Sequence, residues 1–206
     1  MKIMIIIGID LSGKPDNPTG ICILNNLDIT FKILYSDHDI ITEISSFNPD
    51  LIVIDAPISL PKGRCCLEKD CSCSKFGGHF RESDIKIRKY GPVLPLTFYG
   101  MKMLTKRGIN LAERLKNRYD VIETHPRTVQ KMLKISNVPD HLKQFFNLRS
   151  SLVNDPNLGV SKHELDAALC VITGLYYIKN QYISLGNIDE GLIILPDGNV
   201  DMKDLF

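Results

Sequence analysis

The sequence predicts an α/β domain, a mixed sheet with helices on its faces and one irregular excursion. Three observations carry the prediction. Short β-branched runs end in a carboxylate, as buried parallel strands with polar carboxyl ends do. Two further apolar runs stand either side of Asn25-Asn26, a hairpin signal. Between the runs lie stretches whose apolar residues recur at helical spacing. A chain of 206 residues, 44% hydrophobic and 24% charged, can bury a core and suits a single domain spanning 1–206.

In chain order, Ile3 to Ile9 reads as a central buried strand stopped by Asp10. Pro18-Thr19-Gly20 leads into Ile21 to Leu24, and beyond the two asparagines Ile29 to Leu34 returns antiparallel. Asp37 to Phe47 carries Ile40, Ile41, Ile44 and Phe47 near helical spacing and predicts a short helix. It ends at Asn48-Pro49, because the residue before a proline is pushed out of the helical region. Leu51 to Ile54 is a second buried parallel strand, ended by Asp55-Ala56-Pro57. Residues 60–97 hold four glycines, three prolines and four of the six cysteines with no convincing period, and are expected to be an insertion.

From Phe98 to Arg118, Met101, Leu104, Leu111, Leu115 and Tyr119 keep a helical stripe, with Gly108 a candidate break at about 1 kcal/mol relative to Ala. Val121-Ile122-Glu123 is a brief strand, and Pro126 opens a helix through Val129, Met132 and Leu133. Residues 136–160 are weakly patterned. Ser161-Lys162-His163-Glu164 then matches the capping box, in which Ser accepts from an orphan amide and Glu reaches back. The helix it opens, Leu165 to Ile178, is apolar nearly all round and therefore buried. Leu192 to Leu195 in the tail is a last candidate strand.

The net charge of +1 is a sum of opposites. Residues 1–60 carry 3 bases and 8 acids, 61–118 carry 14 and 5, and 119–206 carry 8 and 11. A basic middle between acidic flanks is what a polyanion-binding surface needs, and a solvated lysine-rich insertion is the plainer alternative. No apolar run approaches the roughly 20 residues of a membrane span, and the first run stops before any cleavage pattern. A cytoplasmic chain without a membrane partner is expected.

Cys22 and Cys170 sit alone in apolar contexts and read as core residues. Cys65, Cys66, Cys71 and Cys73 form one C-C-x4-C-x-C knot with His79 as an additional candidate ligand. Such a cluster is metal-binding or redox-active rather than a disulfide framework, although most zinc sites use two separated knuckles. Zn2+ is thus a candidate structural cofactor.

Asp10, Asp55 and Glu123 each terminate a strand-like run, and ligands of open α/β sheets bind outside the carboxyl ends of parallel strands. Asp166 follows His163 by three positions, which places both on one helical face. Clustered carboxylates repel and raise one another's pKa unless a cation intervenes. An oxygen-rich set suits Mg2+ or Mn2+, and a pair of such ions clamps both oxygens of a phosphodiester displacement. Each acid alone could equally be a turn or cap residue.

Asp10, Asp55 and the sequence His163-Glu164-Leu165-Asp166-Ala167 in this order resemble the ribonuclease H-like superfamily, and the H-x-x-D-A pattern is closest to its RuvC-type branch. Gly8 to Gly13, Ile54 to Pro57, Phe98 to Met101, Thr105 to Gly108, Glu123 to Pro126 and His163 to Ala167 are similar to domain-of-unknown-function family 429, described as predicted nucleases. The resemblance implies a mixed five-stranded sheet of order 3-2-1-4-5. It implies a metal site from Asp10, Asp55 and Asp166, supplemented by Glu123 or His163. The family's segment after the Asp-Ala-Pro strand has an Arg-x-Cys-Asp-like motif, and this sequence departs from it with Arg64-Cys65-Cys66-Leu67.

The leading expectation is a Mg2+- or Mn2+-dependent nuclease. Asp10 would bridge two ions, Asp55 and Asp166 would each complete one, and His163 or Glu123 would orient the water. Arg64, Lys102, Lys106 and Arg107 are the candidates for holding a nucleic-acid backbone. Tyr99 either stacks on a base or packs under its helix, with packing preferred. The alternatives are a non-catalytic nucleic-acid-binding module and an actin-like ATPase. The latter rests on Asp10-Leu11-Ser12-Gly13 with Thr19-Gly20 and would require a homodimer in a chain this short.

Overall fold

A computed structural model describes residues 4–148 and 160–205. Ile3 of the expected first strand, and much of the weakly patterned stretch before Ser161, lie outside the described residues. The sheet begins with β1 (Ile5–Asp10), β2 (Thr19–Asn25) and β3 (Asp28–Leu34). β2 runs antiparallel to both neighbours, and Asn26 takes the left-handed turn conformation at φ 56° that asparagine tolerates. The helix α1 (Asp37–Phe47) crosses to β4 (Leu51–Asp55), parallel to β1, with Asn48 in the left-handed region at its end.

After the insertion come α3 (Tyr99–Lys116), β5 (Asp120–Glu123) and α4 (Pro126–Met132). The insertion's one helix with α-type geometry is α2 (Glu82–Lys86). Gly108 does not break α3. A Cβ there would lie 2.6 Å from the Pro57 carbonyl oxygen, so glycine is what lets this helix pass over the end of β4. The remaining elements are α5 (Val138–Phe145), β6 (Asn147–Leu148), α6 (Lys162–Ile178), β7 (Tyr182–Asn187) and β8 (Gly191–Pro196).

The sheet order is β6-β3-β2-β1-β4-β5-β8-β7, so the expected five strands in the order 3-2-1-4-5 lie inside a sheet of eight. The expectation of five strands is corrected at both edges. The β7–β8 hairpin covers β5 through a parallel contact, and β6 caps β3 over two residues. Both additions pair backbone groups that edge strands would leave open.

Alternation along the strands splits the core in two. Ile6, Cys22, Leu24, Leu51 and Val53 join Ala167 to Leu175 of α6, with α4 and α5 beyond. Ile7, Ile9, Ile21, Ile23, Ile52 and Ile54 pack on the opposite side against Ile40 and Ile44 of α1 and Leu111 and Leu115 of α3. Cys22 and Cys170 are both fully buried core residues. No helix among the described residues is long and apolar enough to cross a membrane.

Candidate functional site

Asp10 and Asp55 end adjacent parallel strands as Cα partners. Each lies two residues beyond a position that packs on α6, Gly8 and Val53 respectively, so both carboxylates leave the sheet on the α6 side. Two glycines let the helix come close enough to meet them. A Cβ on Gly8 would sit 2.1 Å from the Ala167 carbonyl oxygen, and one on Gly20 would sit 2.1 Å from that of His163. The predicted capping box fixes the helix start: Ser161 Oγ accepts from the Glu164 amide at 3.3 Å, and Glu164 Oε2 accepts from the Ser161 amide at 2.8 Å. His163 Nδ1 then stands 2.6 Å from Asp10 Oδ2.

The electrostatics record the crowding. Burial raises the Asp10 pKa, with the hydrogen bond and charge of His163 opposing it. Asp55 is pushed well above the usual carboxylate range, first by burial and then by the charges of Asp10, Asp166 and Glu123 and by hydrogen bonding with Asp10. Burial and the charge of Asp10 raise Asp166, against Lys162 and His163. Without a cation, this group holds its protons to higher pH than free carboxylates do. Hard oxygen donors of this kind fit Mg2+ or Mn2+ in place of the proton. Among the described residues, only the four insertion cysteines bring three or more candidate ligand atoms within 4.8 Å of one another; the acids are a looser set.

Glu123 shares the cleft beside Asp55, but its carboxylate is held by Arg81 instead of by the aspartate group. It pairs with Ile54, one residue out of step with Asp55, so strand alternation turns it away. Arg81 Nη1 and Nη2 donate to its two oxygens at 2.7 and 2.6 Å, and the Ile58 amide adds a third bond at 3.1 Å. Burial raises its pKa while Arg81 opposes. Arg81 is fully buried, and it also holds Asp84 and Ser59. No local sequence signal marks this clamp.

The predicted basic surface is smaller than its charge implied. Arg107 is 6% exposed and is corrected from a backbone contact to an internal brace. Its guanidinium donates to Asp37, to the Ser12 and Lys14 carbonyls and to that of Tyr35. The same guanidinium bonds the Ser12 hydroxyl, which is 3.1 Å from that of Thr19, so the loop likened to a phosphate loop turns its hydroxyls inward. Lys102 and Lys106 both pair with Glu68, and Arg64 donates to the Gly78 and Glu68 carbonyls. Tyr99 is 64% exposed rather than packed under its helix. His79 bonds the Thr97 hydroxyl at 2.7 Å and is not part of the cysteine group.

A cleft of 330 Å³ opens beside Asp55, walled by Met101 and Leu104 of α3, Leu94 and Leu96 of the insertion, and His125 and Arg127. His125 and Arg127 also line a second cavity of 480 Å³ with Lys131 and Lys134. Burial lowers the His125 pKa, and its Nδ1 is 2.8 Å from the Thr128 hydroxyl. Arg127, Lys131 and Lys134 are bases the sequence reading missed. Their spacing of four and then three residues after Pro126 was the available signal.

No protein-family model and no curated protein matches this chain.

Proposed function

We propose that the chain is a cytoplasmic, Mg2+- or Mn2+-dependent nuclease of the ribonuclease H-like superfamily that hydrolyses phosphodiester bonds. The observation that carries the reading is the side-by-side placement of Asp10 and Asp55 on parallel strands, with His163 and Asp166 laid over them by α6. The order β3-β2-β1-β4-β5 inside the sheet is in keeping with the resemblance.

In this reading Asp10, Asp55 and Asp166 would hold the metal, which would supply charge neutralisation and make the attacking water more acidic. His163 is 45% exposed at its side chain, and with Nδ1 on Asp10 its Nε2 is the nitrogen left to exchange a proton with the reacting groups. Water adds to phosphorus, one bridging P–O bond breaks, and the leaving oxygen takes a proton. Arg127 lines both the cleft beside Asp55 and the neighbouring cavity that holds Lys131 and Lys134, so these three bases are better placed than the buried Arg107 to hold the polyanion.

The test is cleavage of single-stranded, duplex, hybrid and four-way-junction substrates with Mg2+ or Mn2+, beside Asp10→Asn. Metal-dependent cleavage lost in the variant is expected; unchanged cleavage in Asp10→Asn overturns the assignment. One observation favours the non-catalytic binding module, namely that Glu123 is tied to Arg81. That reading predicts salt-sensitive binding with no dependence on Asp10.

A further inference from the structure

The insertion contains a second cluster that the nuclease reading leaves unused. We propose that Cys65, Cys66, Cys71 and Cys73 bind one Zn2+ as a tetrahedral tetrathiolate, a structural site separate from the carboxylates and independent of their chemistry.

The sulfur geometry carries the assignment. Zinc–thiolate bonds are about 2.3 Å, so the edge of a regular ZnS4 tetrahedron is about 3.8 Å. Cys65 Sγ lies 3.6 Å from Cys71 Sγ, and Cys66 Sγ lies 3.7 Å from Cys73 Sγ. All four sulfurs fall within 4.8 Å of one another, and none is in a disulfide. Thiolates are soft ligands that select zinc over the hard cations suited to Asp10 and Asp55. A neighbouring pair of cysteines facing a C-x-C pair supplies four donors from nine residues. The knot therefore closes on itself without the second knuckle that longer zinc motifs use.

Charge and folding need point the same way. Four thiolates around Zn2+ carry a net charge of about −2. The surrounding segment has Lys62, Arg64, Lys69 and Lys75 against Glu68 and Asp70, which leaves +2 to balance it. Between residues 62 and 80 only Leu67 and Cys73 are buried, while Phe76 is 79% exposed. A segment with so little core needs a cross-link or an ion to hold one conformation. Holding it has a consequence for α3, because the same loop places Glu68 on Lys102 and Lys106.

The experiment measures metal content of the whole chain purified without chelator, followed by exchange with Co2+. Expected are one zinc per chain and, after exchange, the visible absorption of a tetrahedral cobalt thiolate. Cys66→Ser and Cys71→Ser should each lose most of the zinc, while His79→Ala and Asp10→Asn keep it. Should the cysteine variants fail to fold, competition of the wild-type protein with a chromophoric chelator still reads the site. Two disulfides in the native mass, four freely alkylated thiols with no metal, or stoichiometric iron would each overturn the proposal. An inactive but zinc-replete protein would overturn the nuclease reading alone.

Discussion

The carboxyl ends of β1 and β4 and the insertion at 60–97 both crowd charged groups, by opposite means. At the strand ends the fold comes first. Ile7, Ile9, Ile52 and Ile54 are fully buried, and their packing forces Asp10 and Asp55 together although their charges repel. In the insertion the polar contacts come first. Arg81 joins Glu123 and Asp84, and Glu190 accepts from the backbone amides of Lys62 and Glu82, with little apolar burial to help. Deleting a charge should therefore relieve the first region and unmake the second.

The largest effect is expected at Arg81. Arg81→Met leaves Glu123 and Asp84 buried without their cation, and removing one partner of such a buried pair costs about 3–5 kcal/mol. Urea denaturation should show this as a lower midpoint at unchanged slope. Arg81→Met combined with Glu123→Leu should regain part of the loss, since a packed apolar pair often matches a buried ion pair. A loss below about 1 kcal/mol in the single variant would mean that polar contacts do not hold the insertion's stem.

At the strand ends the corresponding lever is pH. The folded-state pKa values of Asp10, Asp55 and Asp166 are raised, so the folded, metal-free protein binds protons that the unfolded chain has lost. Their contribution to stability thus falls as pH rises from the ordinary carboxylate value through the raised values. A metal must displace the retained proton. Mn2+ affinity is expected to rise with pH across that window by up to about tenfold per unit for each proton displaced, then level off. Calorimetric titration in two buffers of different ionisation enthalpy measures the released protons, and Asp10→Asn should reduce their number. Mn2+ affinity unchanged in Asp10→Asn would show that the acids bind no metal at this site.

The same contrast explains what could be read from residues alone. Buried parallel strands are continuous apolar runs, so β1 and β4 and the acids at their ends stand out, as does the capping box that places His163. Arg81 could not be read that way, because its partner Glu123 is 42 residues away and nothing near Arg81 signals burial. Arg107 misled for a related reason: it lies among surface lysines in sequence, yet its guanidinium reaches carbonyls some 70 to 95 positions away. β6 and α5 escaped because two and eight residues are too short for a period to declare itself.

The smallest effect is expected at Lys106. Lys106 and Glu68 are both about half exposed at their side chains, where solvent screens the pair and such pairs contribute little. Lys106→Ala should lower Tm by less than about 2 °C. Hydrogen bonds from Lys106 and then Lys102 hold the Glu68 carboxyl down at about 2. A depressed carboxylate stabilises above its unfolded pKa and loses that contribution as pH falls toward the folded value. The difference between wild type and variant should therefore shrink between about pH 4.5 and 2, and also in about 1 M salt, where the screening length falls to about 3 Å. A salt-insensitive drop of several degrees would mean that Glu68, rather than the sulfur cluster beside it, fixes the loop against α3.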